Sequence, residues 1–448
     1  MRAHVLRGVL APRGVDLDVV TTSREGSAFL ASLGTPSSIL SEHFRVVFEG
    51  CHDMSRDKTD RCVRDYCLDP RRALRDVARL REMARGADLV VDDSLHPALL
   101  LAPLLPGNRM RVVHLFGENI WAAAAGNFEG RGAGVMETIY PRALRQMRDA
   151  AFACIMHTSK PHEPPPTDRT YVAPPIIAAP SRDAREVRAS LALGPGQRLA
   201  AVYLNPHFEN PRVAAAIEAA LGAHGYRMFA VGEGYAGRPG WIASDADLAS
   251  VVAAADVYIS GAGMGALAQS RAFGTPLVAL LGNQPEQLDN ARDARTTHGA
   301  FASVMLGTTN LEAELGQAIL RLRSVRGTRS NVRAIHGHWT AIFLDLIDRA
   351  RKEDRHERLV LFPRATNGLR TEYFRRVPSS ARSDEAMRRK SAEIRREQTV
   401  CRSSFGDEQP ARRRRARDRS AGWFGPPADA STRADLAAHA IEGARRHA

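Results

Sequence analysis

The stretch ADVYISGAGMGALAQSRAFGTPLVALLGNQPEQLDNA, residues 255–291, carries more information than any other part of the chain. It opens with a short apolar run, 257–259, which predicts a buried strand. Gly261, Gly263 and Gly265 then alternate with Ala262 and Met264, and a helical segment follows to Phe273. Gly274 stops that helix, and Pro276 leads into a second apolar strand, LVALL. Strand, glycine turn, helix, strand is one unit of a parallel sheet. Two readings of the glycines stand. In one they only make a tight turn and let helix and sheet pack closely. In the other the missing side chains let an anion reach backbone N–H groups at a helix N-terminus, whose partial positive charge suits phosphate.

The surrounding residues make the motif more specific. Gly274-Thr275-Pro276 forms a G-x-P, and residues 286–291 form E-Q-x-x-N-A. Together with the strand and turn glycine Gly263, the segment resembles the donor-sugar signature of the UDP-glycosyltransferase superfamily. The likeness is strong over about 35 residues, and the wider organisation fits residues 1–350. It implies the GT-B fold: two doubly wound parallel-sheet (Rossmann-like) α/β domains facing across a cleft. The N-terminal one would receive the acceptor and the C-terminal one the nucleotide sugar.

The alternation of elements agrees with that organisation. Helices are predicted at 1–13, 70–84 and 97–105, with Leu74, Val77, Ala78 and Leu80 as the buried stripe of the second. Strands are predicted at 15–21, 44–48, 87–91, 111–116 and 152–156. Residues 161–180 hold seven prolines and read as a linker. A second alternation follows: strands 199–204, 226–231 and 301–305, and helices 213–221, 247–254, 311–323 and 332–350. The expected domains are 1–175, an acceptor-side domain lacking its first strand, and 176–355, the nucleotide-sugar domain. A basic, mostly disordered tail is expected over 356–448.

Composition sets the outer limits. The chain has 448 residues, 44% of them apolar, enough for two or three domains with real cores. No apolar stretch approaches the roughly 20 residues of a membrane span, and the N-terminus has no signal-peptide core, so a cytoplasmic protein is expected. Five cysteines make no disulfide framework and suit a reducing compartment. Cys51, His52, Cys62 and Cys67 lack the paired C-x-x-C spacing of a structural zinc site, so no metal is expected. The net charge of +13 is uneven: residues 351–448 hold 24 Lys+Arg against 14 Asp+Glu, leaving 39 against 36 before them. The basic character therefore belongs mainly to the tail. It is either a solvated tail or an electrostatic contact with nucleic acid or anionic membrane.

The resemblance also suggests residue roles. Gly263, Met264 and Gly265 would offer N–H groups to the diphosphate. Glu286, Gln287 and Asn290 would bond hydroxyls of the donor sugar, although a carboxylate in the first turn of a helix also simply stabilises the dipole. Trp241-Ile242 marks where the nucleotide base would dock, with Ile242 against it, or else is core. Asp93 would orient a catalytic histidine, or cap the helix after Pro97. The co-substrate would be a nucleotide sugar, with UDP favoured and no other cofactor; the acceptor is not legible.

Three departures matter. The family's first strand and its glycine–histidine loop would precede Met1, placing Met1-Arg2 just after the base histidine; a poor catalyst is expected on that count. Gly261 stands where the family has His or Arg, and Gln269 where an acidic residue grips the ribose. His4 lies inside a helix, and His96 is a candidate substitute for the missing base. The leading expectation is a metal-independent glycosyltransferase acting on a small or lipid-linked acceptor. The alternatives are a non-catalytic relative that binds a nucleotide sugar or partner enzyme, and a nucleotide-sugar epimerase.

Overall fold

The computed structural model describes residues 1–41, 46–49, 53–67, 69–93, 96–102, 105, 110–120, 133–158 and 169–360. The expected tail beyond 360 lies outside them, as do Cys51 and His52.

In the first half, β1 (Val19–Thr21) and β2 (Ser37–Ile39) form a parallel pair. β3 (Phe48–Glu49) and β4 (Asp53–Met54) form a small antiparallel pair. β5 (Val90–Asp92), β6 (Val112–Gly117), β7 (Ala153–His157) and β8 (Thr170–Ala173) make a four-stranded parallel sheet in that order. Two sequence expectations change here. Of the strand read at 44–48, residues 44–45 lie outside the described residues, and Phe48 opens the two-residue strand Phe48–Glu49, paired antiparallel with Asp53–Met54 rather than within a parallel sheet. The proline-rich segment is not all linker, because Thr170–Ala173 is the edge strand β8 of this sheet.

The second half is one six-stranded parallel sheet. It comprises β9 (Arg198–Tyr203), β10 (Tyr226–Val231), β11 (Trp241–Ile242), β12 (Val257–Gly261), β13 (Leu277–Leu281) and β14 (Phe301–Met305). The order is β11-β10-β9-β12-β13-β14. This is the doubly wound order of a dinucleotide-binding domain, and its strand order reverses between β9 and β12. β12 and β13 are buried at every residue, which is why they read as continuous apolar runs rather than alternating ones. Separate apolar clusters cover the two faces. Gly274 ends the helix Met264–Phe273 in the left-handed region at φ 67°. Gly274 has no room for a side chain either, since a Cβ would meet the Gly327 carbonyl oxygen at 2.6 Å.

The final helix, Val332–Val360, leaves the second half and packs on the first. Trp339, Ile342, Phe343 and Leu346 join Val113, Leu115 and Ile155 of the four-stranded sheet in one core. Trp339 is fully buried, and its indole N–H donates to the Pro174 carbonyl at 2.8 Å. The helix Arg2–Leu10 joins the same core through Val5, Leu6 and Leu10.

One predicted stripe is shifted. On the helix Pro70–Met83 the buried positions are Ala73, Asp76, Val77 and Leu80, while Leu74 is 48% exposed and Ala78 is exposed. Asp76 takes a core-facing place because Tyr66 and Ser41 both donate to its carboxylate, at 2.5 and 2.7 Å. A satisfied buried carboxylate disguised the face from a reading based on apolar spacing.

Candidate functional site

Ligands of doubly wound sheets sit at the carboxyl ends of the strands, beside the point where strand order reverses. That point is the end of β12, where Gly261 leads into Ala262, Gly263 and the helix Met264–Phe273. Gly263 is the N-cap of this helix, and no side chain among the described residues caps it. Its φ of −69° is ordinary for any residue. Among the described residues, a Cβ on Gly263 or on Gly265 would meet nothing within 4 Å. Neither glycine is demanded by packing against those residues, and among them the approach to the helix N-terminus is open.

Gly261 differs. A Cβ there would lie 3.1 Å from Gln287 Oε1, so the Gln287 amide fills the space a larger residue would need. Gln287 is buried and donates to Gln284 Oε1 at 2.6 Å. It belongs to the helix Pro285–Thr297, whose first position is proline, suited to a helix start. Glu286 precedes it, half-buried in the first turn. Burial pushes the Glu286 carboxyl up from its usual range, against the opposing pull of Asn290 and Arg2.

Asn290 is occupied. Its amide donates to the Ala262 carbonyl at 3.0 Å, and its oxygen accepts from Asn119 at 3.1 Å. Asn119 also donates to Asp293 at 2.8 Å. Asn290 thus fastens the glycine loop to the first half of the chain, and its buried amide has both of its ends in use. Gln269 is likewise engaged: its oxygen accepts from the Tyr258 hydroxyl at 3.4 Å. Ile242 ends the edge strand β11 and is 41% exposed. Its neighbour Trp241 is core, with its indole N–H donating to Glu218 at 2.7 Å.

The first half contributes the ends of β5, β6 and β7. Asp93 follows β5 and keeps 40% of its side chain open. Enough protein nevertheless lies around its carboxyl to raise it to about 6, against the lowering pull of Arg2. Arg2, from the first helix, donates to Asp93 Oδ1 at 2.5 Å and to His157 Nε2 at 2.9 Å. A guanidinium only donates, so Nε2 is the acceptor and the His157 proton sits on Nδ1. His157 is 3% exposed, and burial together with Arg2 lowers it to about 3. It is neutral at neutral pH. Among the described residues, His157 Nδ1 and Asn119 Oδ1 are buried without a hydrogen-bond partner. Gly117, the last residue of β6, sits beneath this group; a Cβ there would come within 3.2 Å of His157 Cε1 and 3.7 Å of Met264 Cγ. Met264 of the glycine loop therefore reaches the end of β6.

One expectation about Asp93 is corrected: it does not cap the helix Pro97–Leu101, because His96 Nδ1 accepts from the Ala98 N–H at 3.0 Å and does so instead. His96 is buried in that role, which leaves it unsuited to substitute as base. His4 is bonded to Thr35 at 2.8 Å. Asp92, next to Asp93, faces inward and bonds the buried His114 at 3.0 Å.

Sequence reasoning missed Arg2, His157 and Asn119. A histidine closing the apolar strand ACIMH was the signal available for His157. It also missed a second tie between the halves. Asn283 accepts from the Met54 N–H at 2.7 Å and donates to the Met54 carbonyl at 3.0 Å. Phe48 stacks on His207, rings 3.9 Å apart and 3° from parallel. The β3–β4 hairpin thus bridges to loops after β9 and β13.

No protein-family model matches the chain, and no curated protein matches it. Solved structures similar to it include the calicheamicin glycosyltransferase CalG4, at 17% identity over 81% of this chain and 96% of that one, TM-score 0.45. The glycosyltransferase SnogD from Streptomyces nogalater is 16% identical over 77% of this chain and 95% of that one, TM-score 0.44. A UDP-glucosyltransferase from Polygonum tinctorium capable of glucosylating indoxyl is 14% identical over 78% and 90%, TM-score 0.46. Among the described residues, no helix is long and apolar enough to cross a membrane.

Proposed function

We propose that the chain transfers a sugar from a nucleoside diphosphate, with UDP favoured, to a hydroxyl acceptor. The observation that carries this reading is the pair Gly263 and Gly265, which among the described residues leave an uncapped helix N-terminus open at the reversal point of the sheet. A diphosphate placed there would accept from the N–H groups of Met264 and Gly265 and gain from the helix dipole. Glu286 and Gln287 stand at the start of the next helix, where the donor sugar would extend.

The reaction needs a base on the acceptor side, and Asp93 is the group offered there. An Asp93 carboxylate oxygen takes the acceptor hydroxyl proton as the acceptor's own oxygen forms a bond to the anomeric carbon. The bond from that carbon to the diphosphate oxygen breaks, and its electron pair leaves with the diphosphate. A carboxyl near 6 is matched to that task at neutral pH. The helix N-terminus meets the negative charge that develops on the leaving group, without a metal. Calorimetric titration of the full chain with UDP, dTDP, GDP and ADP tests the reading. Binding of a pyrimidine diphosphate at micromolar to low-millimolar concentration supports it; no heat with any of the four overturns it.

A further inference from the structure

We propose that Arg2 is the positioning residue of this cleft: its guanidinium, lodged between the strand ends that carry Asp93 and His157, holds the Asp93 carboxylate ionised and fixed at the cleft mouth. The role assigned to Asp93 rests on the transferase reading above; the charge assignment itself does not.

The geometry is specific. One guanidinium nitrogen reaches both Asp93 Oδ1 and His157 Nε2, at 2.5 and 2.9 Å. Asp93 follows directly on β5 and His157 ends β7, and these two strands flank β6 on either side. Neighbouring strands lie about 4.8 Å apart, so the nitrogen sits over the end of β6. That end is Gly117, the residue whose lack of a side chain leaves His157 in place. His157, accepting on one face and buried, holds the guanidinium from behind without adding a charge of its own.

The electrostatics run through the same atom. Asp93 faces Arg2 and the Met1 α-amino group from the first helix, and Asp92 from its own strand. Arg2 pulls the Asp93 carboxyl down, while burial and Asp92 push it up. Arg2 also pulls down Glu286, which otherwise faces Asn290 and Asp289 of its own helix. It pulls down His157 as well, reinforcing the effect of burial. A single cation therefore lowers the proton affinity of groups on both sides of the cleft, with burial the largest influence on each. Removing it releases all three upward together, a pattern that loss of packing alone does not produce.

The test uses Arg2→Gln and Arg2→Lys in the full chain, with Asp93 and Glu286 followed by carboxyl carbon NMR and His157 by its ring signals. In Arg2→Gln the Asp93 midpoint is expected to rise by about one pH unit, with Glu286 and His157 moving up too. Arg2→Lys, which keeps the charge, is expected to stay close to the wild type at Asp93. A folded Arg2→Gln protein whose Asp93 midpoint is unchanged overturns the proposal. Should Arg2→Gln not fold, the wild type still decides: the Arg2 guanidinium nitrogen signals must shift with the Asp93 midpoint, and their indifference to it overturns the proposal equally. UDP is titrated into the same samples. Its failure to bind the wild type counts against the transferase reading and leaves the Arg2 titrations standing.

Discussion

Replacing Gly265 with Ala separates the structural reading of the glycine loop from the functional one, because the two predict different outcomes. Gly265 is the second residue of the helix Met264–Phe273, its φ is not left-handed, and a Cβ there meets nothing within 4 Å. Alanine fits without strain and restricts the unfolded chain, so the fold should gain about 0.4–1 kcal/mol. For a chain of this size that is a rise of a few degrees in Tm at most. The same methyl group stands in the open approach to the helix N-terminus. If a diphosphate docks there, the substitution weakens a charge-assisted backbone bond worth about 1.5–3 kcal/mol. Taking the low end, UDP affinity should fall about tenfold. Differential scanning calorimetry and UDP titration on the same protein give both numbers. Gly274→Ala is the control, since its φ of 67° and the 2.6 Å approach of the Gly327 carbonyl make the fold itself require glycine. It should lose stability. If Gly265→Ala gains stability and binds UDP as tightly as the wild type, the open approach is not a phosphate site.

Gly261→Ala places a methyl 3.1 Å from Gln287 Oε1, so it should cost about 1 kcal/mol in denaturant unfolding, with Gln287→Ala relieving most of that cost in the double variant. Trp339→Ala removes a fully buried indole and its bond to the Pro174 carbonyl, and should cost about 3–5 kcal/mol in the same assay. His157 is held neutral, with a folded value near 3 against an unfolded value near 6.5. The unfolded chain binds the extra proton across that window, so this group costs stability as pH falls from about 6.5 to 3, and His157→Gln should flatten the acid side of the stability profile. Asp93 acts oppositely. Its folded value near 6 lies above the unfolded value, so its contribution is present below about pH 4 and is lost as pH rises through 6, and Asp93→Asn should stabilise the protein at pH 8 but not at pH 3.5.

The second half of the fold was legible because burial on both faces writes itself into sequence as unbroken apolar runs. VYISG and LVALL are of that kind, and Gly274 and Pro276 punctuate them. The first half was read less well. β2, β4 and β8 are two to four residues long, too short for periodicity to register. The helices Arg24–Ser32, Arg56–Cys67 and Ala133–Ala150 were passed over; in Arg56–Cys67 charged residues dominate the composition. In the site, glycines could be located from sequence but not their reasons. Gly261 answers to a glutamine 26 positions later, and Asn290 to an asparagine from the other half. Arg2 could not be found at all, since its meaning comes from two strand ends about 90 and 155 residues away.

The most direct test of the central claim is a map of backbone amide shifts as UDP is added to the full chain. The account predicts the largest changes at Met264 and Gly265, with smaller ones at Glu286 and Gln287. UDP binding that leaves Met264 and Gly265 unmoved while shifting residues elsewhere would contradict it.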